Sequence, residues 1–375
     1  MTDLVMWWSE YFERWRIDIA YRLLHWVYSR KDFKRFWYPQ VLILHIDENP
    51  EWLVDCQKLI AVAEWIKDGA ASNIVAVLCE GHTEDPDTAE YLRSVEIAVR
   101  QLIGESCLNA HHLVVSYENL SELNETASAV IQCSGLGILK PNTILVDFPK
   151  CGVSANFSYA GQNELWNRIA ATMDKCLLIC KGDLWKPIPF NLAVSLIKFN
   201  NFIKLINYYL KKLLIIMLLQ LKSDDLLLSF VYVICRNYRW TFTSLRIFAV
   251  IKEMEFEAVK DQVLKRIHCA SLEVDNIEFK AVDQDDIAAY ESAKVIAETV
   301  DGQLEQELKY RRVYKNDPPI ALNSLIRGES LNADLIIVNL PRPRGNMLAS
   351  RLLQSLDAIT ERLTRVIVFR PPMNF

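Results

Sequence analysis

The residues with most chemical potential in this chain are nine cysteines, at positions 56, 79, 107, 133, 151, 176, 180, 235 and 269. Their spacing limits what they can do. No two form a CxxC pair, the usual unit of a thiolate metal site. Cys176 and Cys180 lie in an apolar run that reads as a strand. An odd count with no framework points to free thiols in a reducing compartment. His111 and His112 adjoin a strand, where neighbours face opposite sides, so one metal ion does not take both. Asp283, Asp285 and Asp286 sit where a helix N-terminus and its dipole call for negative charge. Gly135 and Gly137, in CSGLGILKPNT, follow a helix and precede a strand. That order is the reverse of the strand–turn–helix that cradles a dinucleotide; Gly135 or Gly137 instead supplies a helix C-cap with positive φ. No P-loop, HExxH, GxSxG or EF-hand pattern occurs. The expectation is a protein that is not an enzyme and holds no metal.

A second set of residues points to a surface. Five of the ten tryptophans fall in the first forty residues: Trp7, Trp8, Trp15, Trp26 and Trp37. Trp8, Tyr11, Trp15, Ile19, Leu23 and Trp26 follow helical spacing, and Arg14, Arg16, Arg22, Arg30, Lys31, Lys34 and Arg35 add positive charge. Such a helix can lie on a membrane or pack on a partner; equally, it can cover the edge of an ordinary core. No 7–15-residue apolar stretch marks a secretory signal here.

These features need elements to position them. At about 150 residues per domain, 375 residues suggest two or three domains. Hydrophobic residues make up 51% and charged residues 24%, a globular composition that excludes wholesale disorder. The formal net charge of −5 gives no basic excess to meet phosphates, so no nucleic-acid partner is expected.

From Pro39 onward, apolar runs of four to six residues alternate with helical patterns. Strands are predicted at 41–46, 74–78, 113–115, 143–146 and 176–180, with helices between them, one of them capped by Ser121. The second half repeats the theme, with strands at 245–250, 277–281, 335–340 and 366–369. Buried-strand runs alternating with helices indicate parallel sheets covered on both faces. The fold class is therefore α/β, two tandem doubly wound units after an N-terminal amphipathic helix. The boundaries are 1–36 for that helix, 37–190 and 223–375 for the two units, and 191–222 between them.

Residues 191–222, NLAVSLIKFNNFIKLINYYLKKLLIIMLLQLK, contain no Gly, Pro, Asp or Glu. A membrane span needs about 20 apolar residues. Lys198, Lys204, Lys211 and Lys212 oppose one, each costing about 2.5–3.5 kcal/mol near the bilayer centre. The segment reads as an aberrant, dispensable insertion, such as translated non-coding sequence, with 213–219 as a substitute strand at most.

Five stretches, in order, carry a resemblance. WYPQVLILHID (37–47), IQCSGLGILKPNTILVDFP (131–149), DDLLLSFVYVI with RNYRW and SLRIFAV (224–250), VDQDDIAAY (282–290) and LNSLIRGESLNADLIIVNLPRPR (322–344) are similar to the cytosolic C-terminal domain of cation–chloride cotransporters, closer to the potassium–chloride branch. Gly135, Gly137, Lys140 and Asn142 occupy its SGLG-x-x-K-P-N motif. The resemblance implies universal-stress-protein-like units and a regulatory, dimerising module of a transporter moving Cl⁻ with K⁺ or Na⁺, on the cytosolic face of a membrane. It implies a homodimer contacting the transmembrane domain, with Trp8, Trp15, Trp26 and Arg22 on the connecting helix toward that domain or a membrane surface. It also allows ATP in the first unit. A free-standing nucleotide-binding protein of universal-stress type is the alternative. Departures are visible too: the family's long phosphoregulatory loop is nearly absent, and a regulatory threonine of the potassium–chloride branch aligns with Pro318.

Overall fold

The structure is a computed structural model. It describes residues 39–47, 52–66, 73–82, 84–135, 140–148, 175–182, 184, 212–218, 224–237, 240, 243–252, 256–270, 272, 274–282, 323–324, 326–328, 330, 333–339 and 356–372, together with residues 15, 16, 19 and 22. The expected helices at 163–173 and 285–308, and the acidic group at 283–286, lie outside these residues.

The first half runs β1 (Val41–Asp47), α1 (Trp52–Trp65), β2 (Asn73–Glu80), α2 (Pro86–Glu105), β3 (Ala110–Tyr117), α3 (Leu120–Cys133), β4 (Thr143–Asp147) and β5 (Cys176–Gly182). The second half runs β6 (Lys212–Leu218), α4 (Asp224–Arg236), β7 (Thr243–Lys252), α5 (Phe256–Cys269), β8 (Asn276–Val282), β9 (Leu335–Asn339) and β10 (Arg365–Arg370), with a helical turn at 356–360 before β10. Val, Ile and Leu dominate β1, β2, β4 and β5 because both faces of these strands are covered. The cap of α2 is Asp85, whose carboxylate accepts from the Thr88 N–H and hydroxyl, with Pro86 preset for the first turn. The cap of α3 is Asn119, which accepts from the Glu122 N–H at 3.0 Å, two residues before the expected Ser121. A side-chain oxygen one residue ahead of the helix reaches the third N–H.

All ten strands form one sheet in the order β3-β2-β1-β4-β5-β10-β9-β6-β7-β8. Read outward from the middle, each half has the same order, and all pairs within a half are parallel. The halves meet at one antiparallel pair, β5 with β10, six residues in register from Gly182↔Arg365 to Leu177↔Arg370. The fold is thus mixed α/β, two copies of one doubly wound topology fused edge to edge. α1, α2, α4 and α5 pack on one face, and α3 with residues 326 and 356–363 on the other.

Of the segment 191–222, the structure describes residues 212–218. Its end is β6, which pairs in register with β7 from Lys212↔Thr243 to Leu218↔Ala249 and with β9 from Leu214↔Leu335 to Met217↔Val338. It occupies the place in the second half that β1 holds in the first. Residues 212–218 are thus a strand of the second half rather than part of an insertion. A central strand hydrogen-bonded on both sides has no substitute in the sheet.

Helices also cross the seam. Trp65, the last residue of α1, stacks edge-on against Trp240 after α4, with ring centroids 5.2 Å apart and both rings buried. Asn237 donates from Nδ2 to the Glu64 carbonyl at 2.9 Å. Asn237 and Trp240, from a block of the resemblance, therefore lock the two halves together.

Candidate functional site

In a doubly wound sheet, ligands bind outside the carboxyl ends of the strands where strand order reverses. In the first half that point lies between β1 and β4. Both strands end in aspartate, Asp47 and Asp147. The register Val41↔Thr143 through Ile43↔Leu145, carried two residues further, sets His45 beside Asp147. Asp147 in turn pairs with Cys180 on β5, and Asp47 with Cys79 on β2. Alternation puts His45, Asp47, Cys79, Asp147 and Cys180 on the face covered by α1 and α2. Trp52, the first residue of α1, lies over His45 with ring centroids 6.3 Å apart. The Tyr91 hydroxyl on α2 donates to Asp47 Oδ2.

The electrostatics fix what this cluster can do. Burial, then the Asp47 charge and its hydrogen bond, push the Cys79 thiol up to about 12. Burial and then Asp147 push Cys180 well above the ordinary thiol range. Burial, with Asp47 beside it, also raises the Tyr91 phenol. A nucleophilic cysteine needs the opposite surroundings, a cation or helix N-terminus that stabilises thiolate. Here each carboxylate stands next to the thiol, so Cys79 and Cys180 stay protonated.

A pH dependence follows. Cys56, Cys79 and Cys180 keep their protons in the folded chain to higher pH than in the unfolded one. From pH 9, the ordinary thiol value, to about 12, the unfolded state holds fewer protons, so stability falls as pH rises. Denaturant midpoints across that range are expected to drop. Below pH 9 a thiol reagent is expected to label Cys107, Cys133 and Cys269, which are exposed, and to spare Cys56, Cys79 and Cys180 until unfolding.

Beyond the carboxyl ends of β2 and β3, Glu80, Asp85, Asp87, Glu118 and Glu122 add further negative charge to this edge, with His82 bound to Glu118 at 3.2 Å. Lys181, at the end of β5, donates to the Thr360 hydroxyl at 2.8 Å, the Thr360 carbonyl at 3.2 Å and Asp357 at 3.4 Å. Among the described residues this edge is mainly acidic, which disfavours a bare phosphate. Among the described residues, no group of three or more His, Cys, Asp or Glu is placed to hold a metal ion. His111 and His112 do alternate along β3, His111 exposed and His112 against Glu96 at 3.1 Å.

The described residues of the SGLG-x-x-K-P-N motif lie at the opposite, amino edge. Gly135 follows α3 with φ +77°, the left-handed C-cap its position predicts. Asn142 accepts from the Gln40 N–H at 2.9 Å and the Thr143 hydroxyl at 2.8 Å, tying the start of β4 to that of β1. Asn73 does the same between β1 and β2, accepting from the Val41 N–H at 3.1 Å. Lys140 is exposed, and Gly137 lies outside the described residues. The structure therefore separates the motif residues from the switch point and gives Asn142 a positioning role. Asn142→Ala is expected to cost about 1–2 kcal/mol, read as a lower denaturation midpoint.

Of the N-terminal set, Trp15 and Arg22 are helical; Trp15 is 52% exposed and Arg22 exposed. Trp8 and Trp26 lie outside the described residues. No helix among the described residues is long and apolar enough to cross a membrane. The His45–Asp147–Cys180 row is absent from a reading of sequence motifs, because its members are far apart in the chain. The one readable signal was that the two strands flanking the switch point, LILHID and TILVD, both end in aspartate.

An α/β protein of two fused, doubly wound halves is the class that this geometry defines. The chain is similar to Potassium/chloride cotransporter 3 of Caenorhabditis elegans, 21% identical over 409 residues and covering 88% of the chain. It spans only 36% of the length of that relative. No profile of a known protein family matches. Among solved structures, a universal stress protein from Archaeoglobus fulgidus DSM 4304 aligns over 90% of this chain and 99% of its own, at 13% identity and a TM-score of 0.49. A functionally unknown protein from Pseudomonas aeruginosa PAO1 aligns over 88% of this chain and 92% of its own, at 8% identity and a TM-score of 0.40.

Proposed function

We propose that the chain is the cytosolic regulatory and dimerising part of an electroneutral cation–chloride cotransporter, one that moves Cl⁻ with K⁺ or Na⁺, and that it does not transport by itself. The observation that carries this reading is similarity to a potassium/chloride cotransporter along 88% of the chain. The five motif blocks agree with it in order. The described part of the block at 236–240 serves the lock between halves, and Asn142 a strand start. A module that joins two transporters works as a rigid body, and one continuous sheet locked across its seam suits that task.

In this reading the chain homodimerises, and its N-terminal helix meets the transmembrane domain or the membrane surface through Trp8, Trp15, Trp26 and Arg22. ATP has no assigned part: the acidic switch point disfavours a triphosphate, which weakens the free-standing nucleotide-binding alternative. An antibody against the chain, applied to carbonate-washed membranes of source cells, tests the reading. The expected result is an integral membrane product longer than 43.3 kDa. A product found only in the soluble fraction would overturn it.

A further inference from the structure

The amino edge of the first half holds two lysines that pair with no carboxylate among the described residues. Lys140 lies just ahead of β4 and Lys175 immediately ahead of β5. The two strands are parallel neighbours with Thr143↔Cys176 in register, and the Cys176 N–H bonds the Asn142 carbonyl at 2.8 Å. That pairing brings both lysines to one corner, beneath the C-terminus of α3. Lys175 is half-buried and uses one N–H on the Ile131 carbonyl at 2.7 Å. Lys140 is exposed. Among the described residues, neither ammonium forms an ion pair with a carboxylate. Burial and then the Lys140 charge lower the Lys175 ammonium from its ordinary value.

A helix C-terminus supplies only about half a negative charge, and the Ile131 carbonyl takes one donor. Lys175 keeps two N–H groups and Lys140 three. We propose that this corner, Lys140 with Lys175 beside the Gly135 turn, binds a phosphate monoester. A monoester carries about −1.5 to −2 charge at neutral pH and three acceptor oxygens, matching two ammonium groups where a single carboxylate would leave one uncompensated. The formal net charge of −5 makes general attraction of anions unfavourable, so binding here is local to the pair.

Calorimetry of the full chain with inorganic phosphate tests the site, and sedimentation with phosphatidylcholine vesicles tests the source of the monoester. One vesicle set carries phosphatidylinositol 4-phosphate; the other carries phosphatidylserine at equal charge. Saturable phosphate binding in the millimolar range is expected. It weakens roughly tenfold in Lys140→Ala and in Lys140→Gln, about 1.4 kcal/mol. Because Lys140 is exposed, both variants keep the wild-type denaturation midpoint. Cosedimentation with the phosphoinositide vesicles alone, reversed by phosphate, identifies a lipid headgroup as the source; phosphate binding without cosedimentation identifies a free phosphate. Absence of saturable phosphate binding, or an unchanged affinity in both variants, overturns the site and leaves Lys175 as a cap of α3.

Discussion

Deleting residues 212–218 is expected to abolish the cooperative folding of the second half. β6 is hydrogen-bonded to β7 on one side and β9 on the other, and nothing else in the sheet joins those two strands. Without it, β7 and β8 lose their route to the rest of the sheet, and α4 loses the strand that leads into it. The stability of a domain is about 5–15 kcal/mol, and losing a central strand removes most of it. Circular dichroism during urea denaturation is the measurement. The expected result is a transition of roughly half the wild-type amplitude, carried by the first half, or none, because surface ordinarily shared across the seam is also exposed. A wild-type midpoint after this deletion would mean that the strand contributes nothing and that the segment is an insertion after all.

Gly182→Ala is expected to open the seam itself. Gly182 ends β5 with φ +91°, in the left-handed region that side chains resist. A Cβ there would stand 1.7 Å from the Thr364 carbonyl oxygen, backbone that cannot rotate away. The strain of the left-handed conformation adds about 1–2 kcal/mol to that collision. Relief requires β5 and β10 to separate at Gly182↔Arg365, the end of their pairing. A loss of about 4 kcal/mol or more places the substitution among the severe class, with a fall in Tm of roughly 10 °C. Because the same pair joins the two halves, the transition is also expected to split into two steps. A single transition with an unchanged Tm would show that the seam does not hold the halves together.

The strands of this fold were legible where apolar runs are bounded by turn or charged residues. Val41–Asp47, Thr143–Asp147 and Leu335–Asn339 are of that kind, and the structure places strands on all three. Arg365–Arg370 was legible as a closing strand, but not its direction relative to β5, since pairing between residues as distant as Gly182 and Arg365 leaves no local periodicity. β6 was obscured by its surroundings: KLLIIML continues a Lys- and Leu-rich run with no breaker before it, so periodicity does not separate strand from helix there. The tandem organisation was readable as two alternations of strand and helix, and the sheet order repeats it strand for strand.

The candidate site was less legible. Gly135 revealed its C-cap because positive φ favours glycine. Asn142 belonged to a recognisable motif, yet its bond to the Gln40 N–H lies 102 residues away and appears only once β1 and β4 are adjacent. Trp240 stood out as part of Arg236–Trp240, while its partner Trp65 looked like any apolar position on α1. The acidic character of the switch point also needed the fold, because Asp47 and Asp147 belong to different βα units and meet only at the reversal of strand order.

The central claim, that this chain serves as the cytosolic part of a cation–chloride cotransporter, is tested most directly by transport. Residues 37–375 replace the matched region of Potassium/chloride cotransporter 3 of Caenorhabditis elegans, and chloride-dependent rubidium uptake is measured per transporter at the cell surface. The account predicts uptake well above that of the same transporter with the region deleted, and its loss when the graft carries Gly182→Ala. A chimera that reaches the surface, folds its grafted part and takes up no more rubidium than the deletion would contradict it.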